Sequence, residues 1–379
     1  MIPRMLERQI PSRLGDGKAI LVQGARQTGK TTLIRNLLAG REKVLVLTGD
    51  EALTRQLLTD PDLARLRGLL GGQAVLFLDE AQRIPNIGLT LKLLVDHFPD
   101  LQILVTGSSS LELADHVHEP LTGRKWDFPL FPICWQELEE HVGAFDARRQ
   151  LEQRLVYGMY PEVVSRPGFE RDLLTQLSGE SLTRDLLAYE GLRKPELLGR
   201  LLQALALQVG HEVSTNELAG LLQAGRGTIN SYLDLLEKAY VVFTLPPFLR
   251  NRRDEIRSTR KIYFWDNGIR NALLGSFQPL ELRTDTGALW ENFLVSERRK
   301  LLAYQRVPAR LCFWRTHSGA EVDLVEERDG RLTAWEFKWS PTKRASCPAA
   351  FRESYPDATF QVLHRDSFRD FLVEDAPAR

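Results

Sequence analysis

Residues 24–31 read Gly24-Ala-Arg-Gln-Thr-Gly-Lys-Thr31, and this stretch decides the fold of the first part of the chain. It lies between the apolar run at residues 19–23 and a helical pattern at residues 31–38. The order of strand, GxxxxGK[ST] loop and helix is typical of a phosphate-binding loop. The glycines let backbone N–H groups turn toward phosphate oxygens, and the helix N-terminus adds a positive dipole.

The loop predicts a site for ATP and Mg²⁺. Lys30 is expected to reach the β- and γ-phosphates, and Thr31 to bind the metal ion. The expected nucleotide-binding residues are Gly24, Ala25, Arg26, Gln27, Thr28, Gly29, Lys30, Thr31 and Thr32.

Two acidic residues, Asp79 and Glu80, follow the apolar run at residues 74–78. Asp79 can hold Mg²⁺, directly or through water, and Glu80 can polarise an attacking water molecule. A carboxylate beside the metal ligand is what hydrolysis requires, whereas a kinase would require an acceptor site. The alternative is that the two acids only cap the next helix.

A third polar strand end follows the apolar run at residues 101–106, where Gly107 precedes Ser108. Ser108 is the predicted sensor of the γ-phosphate, although Gly-Ser turns are also common in loops. Four apolar runs, at residues 19–23, 43–48, 74–78 and 101–106, alternate with helical patterns. This alternation predicts an α/β fold with a parallel sheet.

Composition excludes several classes of protein. The 379 residues include 50 Lys and Arg and 50 Asp and Glu, so any nucleic-acid surface must be a local patch. The 3 cysteines are far apart and form no CxxC pair, which argues against a disulfide scaffold or a zinc ribbon. No apolar run approaches the roughly 18 residues that span a bilayer. We therefore expect a cytoplasmic protein with no membrane partner.

The order of motifs resembles the AAA-type P-loop ATPases of bacteria and archaea. More narrowly, it resembles the family that joins this ATPase to a C-terminal domain of uncharacterised function. The resemblance is carried by the loop, by Asp79-Glu80, by Thr106-Gly-Ser-Ser109, by Leu121-Thr-Gly-Arg124, by Gly158-Met-Tyr-Pro-Glu162 and by Arg184-Asp185.

The resemblance implies a homo-oligomeric ATPase, such as a ring, in which an arginine completes the site of a neighbouring subunit. Arg124 is the first candidate for that arginine, and Arg184 is the second. The alternative for Arg124 is an ordinary solvated surface residue.

Residues 213–239 predict a helix, a tight turn ending at Gly225, and a second helix. This spacing is typical of a helix-turn-helix, and the strand pattern at residues 240–245 favours a winged variant. The expected facing apolar stripes are Leu218, Leu221 and Leu222 with Ile229, Leu233 and Leu236. The expected DNA-contacting residues are Arg226, Thr228, Asn230 and Ser231. A basic stretch adds Arg250, Arg252, Arg253, Arg257, Arg260 and Lys261. The alternative is an αα-hairpin that only packs or binds protein.

Residues 321–326 and 333–339 flank Asp329-Gly330, a dipeptide that favours a two-residue hairpin turn. If Arg328 and Arg331 close the turn, Asp323 faces Glu336 and Glu321 faces Lys338. Asp323, Glu336 and Lys338 then share one face, because side chains alternate along a strand. Two carboxylates so placed can clamp Mg²⁺ while the lysine activates water.

This pattern resembles the metal-binding core of the PD-(D/E)xK nuclease superfamily. Glu291, on a helix predicted at residues 288–299, is a further candidate ligand, and Glu297 is its rival. The alternative is a cross-strand Glu321–Lys338 ion pair with acids on an exposed face.

These observations predict four segments. They are an AAA-type P-loop domain at 1–145, a helical lid at 146–195, a winged helix-turn-helix at 196–250 and a nuclease-like α/β domain at 251–379. The predicted function is an oligomeric Mg²⁺-dependent ATPase that acts on branched or duplex DNA, with Lys30, Glu80, Ser108 and Arg124 as catalytic residues. The alternatives are a nucleotide-gated switch that binds a protein partner, and an ATP-controlled nuclease.

Overall fold

The computed structural model describes residues 2–108, 121–182, 194–249 and 259–373. The chain folds into two compact units. The first comprises Met1–Pro132 with Lys238–Tyr240, and the second comprises Ile133–Glu237 with Val241–Arg379. Several residues named above lie outside the described ranges, namely Ser109, Arg184, Asp185, Arg250, Arg252, Arg253 and Arg257.

The first unit contains a five-stranded parallel sheet in the order β2-β3-β4-β1-β5. Its strands are β1 (Ala19–Gln23), β2 (Val44–Thr48), β3 (Val75–Asp79), β4 (Gln102–Gly107) and β5 (Lys125–Pro129). The structure confirms the four predicted strands. Strand β5 was not predicted, because this edge strand buries only Phe128 and so has no continuous apolar run.

The helices of this unit follow the strands in the expected alternation. They are α1 (Leu6–Gln9), α2 (Lys30–Leu38), α3 (Ala52–Leu58), α4 (Leu63–Leu70) and α5 (Ile87–His97). Leu76, Leu91 and Ile103 belong to the core between sheet and helices. Because the strands are parallel, the residues that follow β1, β3 and β4 meet at one edge of the sheet.

The second unit begins with a helical region. Its helices are α6 (Trp135–Val142), α7 (Ala144–Arg149), α8 (Leu151–Tyr157), α9 (Pro161–Ser165) and α10 (Glu170–Gln176), and α10 continues into a π-helical turn at Leu177–Ser181.

A three-stranded antiparallel sheet with three helices comes next. The elements in chain order are α11 (Pro195–Leu207), β6 (Glu212–Val213), α12 (Thr215–Leu222), α13 (Arg226–Lys238), β7 (Val242–Leu245) and β8 (Arg260–Phe264). The strand order is β6-β8-β7. The boundary predicted at 250/251 therefore separates β8 from its sheet partners.

The two apolar stripes are confirmed only in part. Leu218, Leu222, Ile229 and Leu236 are buried, but Leu221 is exposed. With 3.6 residues per turn, Leu221 lies about 100° from the centre of the buried face of α12. On α13, Tyr232 and Leu235 join the buried face, whereas Leu233 is only half-buried.

The C-terminal part combines helices with a four-stranded mixed sheet. Its elements are α14 (Asn267–Leu273), α15 (Thr286–Gln305), β9 (Arg310–Arg315), β10 (Glu321–Arg328), β11 (Arg331–Phe337), α16 (Ala349–Ser354), β12 (Thr359–Leu363) and α17 (Arg369–Leu372). The strand order is β12-β11-β10-β9, and only the pairing of β11 with β12 is parallel. Arg328 pairs with Arg331, which confirms the predicted hairpin register. Within the described ranges, no helix is both long and apolar enough to cross a membrane.

The end of α8 is fixed to the start of α14 by the buried side chain of Asp266. This carboxylate accepts hydrogen bonds from the N–H groups of Met159 (2.6 Å) and Ile269 (3.2 Å). Gly158 has a φ of +70° and lies directly against Asp266, so that a Cβ atom there would overlap the carboxylate. Glycine is therefore required at 158 for two independent reasons.

We predict that Gly158→Ala lowers the free energy of unfolding by roughly 3 kcal/mol, since it adds backbone strain and displaces a buried hydrogen-bonded carboxylate. The matched control is Gly168→Ala, where φ is also positive (+92°) but the space around the Cβ position is open. That control should cost about 1 kcal/mol. Guanidinium unfolding of both variants is the measurement, and equal losses would contradict the role assigned to Asp266.

Candidate functional site

The loop at residues 24–31 is shaped by two glycines. Gly29 has a φ of +94° and immediately precedes α2, whose first N–H groups have no partner within the helix. At Gly24, a Cβ atom would overlap the carbonyl oxygen of Leu130, the residue that follows β5. The loop therefore passes directly against the neighbouring backbone, and only glycine fits where it starts.

Lys30 lies inside this loop. Its side chain is only 5% exposed, and Nζ donates to the carbonyl oxygens of Gly24 (2.9 Å) and Ala25 (2.8 Å). The ammonium group therefore lies within the loop, which is where the sequence analysis expects it to meet phosphate oxygens.

Asp79, at the end of β3, contacts both Thr31, the last residue of the loop, and Thr106 on the neighbouring strand β4. The hydroxyl group of Thr31 donates to Oδ1 (2.9 Å) and Oδ2 (3.0 Å) of Asp79, and the buried hydroxyl of Thr106 also donates to Oδ1. Hydroxyl and carboxylate oxygens are the hard ligands that Mg²⁺ prefers. The predicted metal ligands Thr31 and Asp79 are thus in direct contact, and this donor set fits the ion.

The side chain of Glu80 is held by its neighbours. Its backbone is left-handed (φ +49°), and its Oε2 accepts a hydrogen bond of 2.6 Å from Nε2 of Gln82. Gly49 follows β2 and lies so close to Glu80 that a Cβ atom there would overlap the Glu80 carbonyl oxygen. Neither Gln82 nor Gly49 was predicted from the sequence, although a glycine directly after a strand was a usable signal.

Ser108 lies just after the carboxyl end of β4, whereas Arg124 lies just before the amino end of β5, at the opposite edge of the parallel sheet from the loop. Ser108 follows β4 and is half-buried, but the hydroxyl that contacts Asp79 belongs to Thr106, a residue that the sequence analysis did not select. Nε of Arg124 donates to Oδ1 of Asp96 at 2.6 Å, and this hydrogen bond lowers the pKa of Asp96. The roles of Ser108 as sensor and of Arg124 as a residue acting in trans stay predictions.

A second cluster of charged groups lies in the second unit, around the β10–β11 hairpin. Nζ of Lys338 donates to Oε1 of Glu336 (2.6 Å), and Oδ2 of Asp323 accepts from the N–H of Phe337 (2.7 Å). Burial raises the pKa of Asp323 well above its ordinary value, and the carboxylates of Glu291 and Glu336 raise it further. Asp323 and Glu336 therefore lie near each other, as the predicted register requires, and Glu291 also lies near Asp323.

Lys261 and Tyr263, both on β8, complete this cluster. Nζ of Lys261 lies 3.0 Å from Oε1 of Glu291 and 2.5 Å from Oε1 of Glu321, and the hydroxyl of Tyr263 donates to Glu291 at 2.7 Å. Burial by itself lowers the pKa of Lys261, but the surrounding carboxylates outweigh burial and raise it. Neither residue was predicted to belong to the cluster, because β8 belongs to a different sheet from β10 and β11.

The alternatives of a Glu321–Lys338 ion pair and of Glu297 as a ligand do not fit the contacts of the cluster. Glu321 pairs with Lys261, while Lys338 pairs with Glu336, so the cross-strand Glu321–Lys338 pair is not formed. The rival ligand Glu297 lies elsewhere, where it accepts from the ammonium of Lys300 and the N–H of Trp135. In the described part of the chain, no three His, Cys, Asp or Glu side chains form a group that could hold a metal ion. The metal-binding role of Asp323, Glu336 and Glu291 stays a prediction.

The predicted helix-turn-helix residues are exposed at the start of α13, namely Arg226, Thr228, Asn230 and Ser231. The preceding α12 is capped by Ser214, whose hydroxyl accepts from the N–H of Asn216 (3.2 Å). A cavity of about 570 Å³ is lined by Ser214, Asn216, Arg226, Asn230 and Arg260, and also by the acidic residues Asp234 and Glu237. Arg260 and Lys261 are neighbours on β8, and one lines this cavity while the other enters the acidic cluster.

Comparison with protein-family models divides the chain into three parts. Residues 16–139 match an AAA domain, residues 148–280 match a domain of unknown function (DUF8612), and residues 286–374 match a second domain of unknown function (DUF4143). The resemblance to AAA-type ATPases with a C-terminal domain of uncharacterised function is thereby confirmed. The resemblance to nucleases is not tested by these matches.

Relatives occur in bacteria and archaea. Uncharacterized proteins of Mycobacterium tuberculosis and Mycobacterium bovis are each 34% identical over 334 residues, which cover 86% of this chain and 71% of theirs. An uncharacterized protein of Methanocaldococcus jannaschii is 25% identical over 297 residues, covering 67% of this chain and 62% of its own. A Walker-type ATPase of Pyrococcus abyssi has a similar fold, with a TM-score of 0.50 at 16% identity, over 72% of this chain and 96% of that one.

Proposed function

The chain belongs to the family of the uncharacterized mycobacterial proteins, with an AAA P-loop ATPase domain followed by two domains of unknown function, and from this premise we propose that it is a Mg²⁺-dependent ATPase acting on DNA. The observation that carries the proposal is the contact of Thr31 with Asp79 beside a glycine loop that encloses the Lys30 ammonium.

Each residue of the site has a separate task in hydrolysis. The backbone N–H groups of the loop and the Lys30 ammonium bind the phosphates and offset their charge. Thr31 and Asp79 would hold Mg²⁺, which supplies charge neutralisation on the phosphate oxygens when bound. Glu80 orients a water molecule and takes its proton, and the hydrogen bond from Gln82 fixes the direction of that carboxylate.

We predict that Lys30→Met abolishes ATP binding, whereas Glu80→Gln binds ATP like the wild type and lowers kcat by about a hundredfold or more, because only the proton acceptor is lost. Equilibrium binding of a fluorescent ATP analogue and steady-state phosphate release are the measurements. The matched control is Glu42→Gln, which changes an exposed carboxyl in the same unit. A Glu80→Gln protein with normal turnover would refute the role of Glu80.

Action on DNA is supported by the elements that follow the ATPase domain. The order of α11, β6, α12, α13, β7 and β8, with the strand order β6-β8-β7, supports a winged helix-turn-helix. Arg226 and Asn230 are exposed at the start of α13, where a recognition helix contacts bases and phosphates. Arg260 on β8 adds a cation at the cavity that these two residues line.

We predict that one form of DNA stimulates ATP turnover, and that combining Arg226→Ala with Asn230→Ala removes the stimulation without changing basal turnover. Phosphate release is measured with single-stranded, duplex and four-way-junction DNA. Lys238→Ala, at the far end of α13, is the control and should keep the stimulation. Turnover indifferent to all three DNA forms would instead favour a nucleotide-gated switch that binds a protein partner.

Oligomer formation is part of the proposal, because Arg124 is assigned to the active site of a neighbouring subunit. Arg124 is accessible for this role, with 37% of its side chain exposed. Its ion pair with Asp96 would break on assembly, at a cost that is small for an exposed pair of this kind.

A second candidate activity, metal-dependent cleavage of DNA, is favoured by the acidic cluster. Within the described residues, the acidic groups of this cluster are Glu291, Glu321, Asp323 and Glu336, which lie near the ammonium groups of Lys261 and Lys338 and, at Glu321, the guanidinium group of Arg315 (3.9 Å). A divalent cation between Asp323 and Glu336 would favour the ionised form of Asp323, and Lys338 would activate water beside it.

We predict that the protein cleaves DNA in the presence of Mg²⁺ or Mn²⁺, and that Asp323→Asn, which preserves the shape of a buried side chain, abolishes cleavage. Gel analysis of labelled duplex and junction DNA is the measurement. Asp329→Ala, in the exposed turn of the same hairpin, is the control. Intact DNA after incubation of the wild-type protein with both metals and ATP would rule out this activity.

A further inference from the structure

Arg4, just before α1, is a buried cation in contact with the phosphate-binding loop. Only 7% of the residue is exposed. One terminal nitrogen (Nη1) donates to the carbonyl oxygen of Thr28 at 2.6 Å, and the other (Nη2) donates to the carbonyl oxygen of Phe131 at 2.7 Å. A single guanidinium group therefore joins the loop to the segment that follows β5.

The segment around Arg4 is packed firmly enough to hold this group in place. Leu6 and Ile10 are fully buried in the first unit. The carboxylate of Glu7 accepts from the backbone N–H of Arg4 (3.4 Å) and from the side-chain amide of Asn36 on α2 (3.4 Å). Arg4 is thus positioned both by apolar packing and by a polar contact with the helix that the loop precedes.

The carbonyl of Thr28 and the N–H of Gly29 belong to the same peptide group. A charged donor on the carbonyl polarises that group and makes its N–H a stronger donor on the opposite side. The same guanidinium lies beside Gly29, with Nη1 3.5 Å from the position a Cβ atom would take. Because Gly29 is the N-cap residue of α2, its N–H has no partner within the helix and can donate to a phosphate oxygen in the loop.

We infer that Arg4 is a positioning residue of the nucleotide site, which fixes the Thr28–Gly29 peptide group and strengthens its N–H as a phosphate donor. The inference rests on the proposed ATPase function. It also explains why an arginine stands here, since its planar fork supplies two donors at fixed spacing to two separate carbonyl oxygens. A lysine ammonium at this position would reach only one of them well.

The test is the affinity for ATP of three variants, measured by equilibrium binding well below the temperature at which each unfolds. Arg4→Met, which keeps the apolar stem, should raise the Kd for ATP about tenfold, the loss associated with one charge-assisted hydrogen bond. Arg4→Lys should give an intermediate Kd. KM should follow the Kd while kcat stays within about threefold of the wild type, because neither Glu80 nor its water is touched.

Two controls separate positioning from folding. Leu6→Ala removes buried packing from the same segment without touching the loop, so it should lower the melting temperature and leave the Kd for ATP unchanged. Arg8→Ala removes an exposed arginine of α1 and should change neither quantity.

Either of two results would overturn the inference: an Arg4→Met protein that binds ATP like the wild type, or a Leu6→Ala protein that loses as much affinity as Arg4→Met. If Arg4→Met does not fold, the Kd of Arg4→Lys decides, and a wild-type value refutes the inference. A wild-type protein that fails to bind ATP would instead refute the proposed function itself.

Discussion

The first unit depends on one constraint, the close passage of a glycine loop over the backbone of an adjacent segment. Gly24 leaves no room for a side chain against Leu130, and the loop is then held from within by Lys30 and from the other side by Arg4. The parallel order of the strands then brings Asp79 and Thr106 to the same edge of the sheet, where their side chains are in contact. A loop with its carbonyl oxygens engaged in this way has few alternative conformations, so little ordering is left for ligand binding to accomplish.

The second unit contains a cluster of buried charges around Lys261. Lys261 is almost wholly enclosed and is stabilised in its charged form by Glu291 and Glu321, whereas burial and the nearby carboxylates raise the pKa of Asp323 and so favour its neutral form. Such a cluster is costly to assemble and is disrupted by the loss of any one member. Clusters of buried ionisable groups with shifted pKa values are typical of functional sites, and this one lies where β8 of one sheet meets β10 of another.

Much of this architecture could be predicted from local pattern. The strands β1–β4 are continuous apolar runs, the loop has a fixed motif, and the Asp329-Gly330 turn sets the hairpin register, so all of these were accessible. The edge strand β5 was not, because it lacks an apolar run. Contacts with residues distant in the sequence could not be predicted either. They involve Arg4, Gln82, Thr106 and Lys261, whose partners lie at the ends or on the faces of other elements. Leu221 was misplaced because a stripe of leucines does not by itself show where a buried face ends.

Strand β8 carries a consequence for how the sequence can vary. Arg260 lines the polar cavity beside α13, and Lys261, one residue on, enters the acidic cluster. Because side chains alternate across a strand, insertion or deletion of one residue before Arg260 would exchange the two cations between the two faces. Length changes are therefore tolerable in β8 only if the register of both faces is restored within the strand. The spacing of two adjacent residues on β8 therefore constrains both the cavity and the acidic cluster.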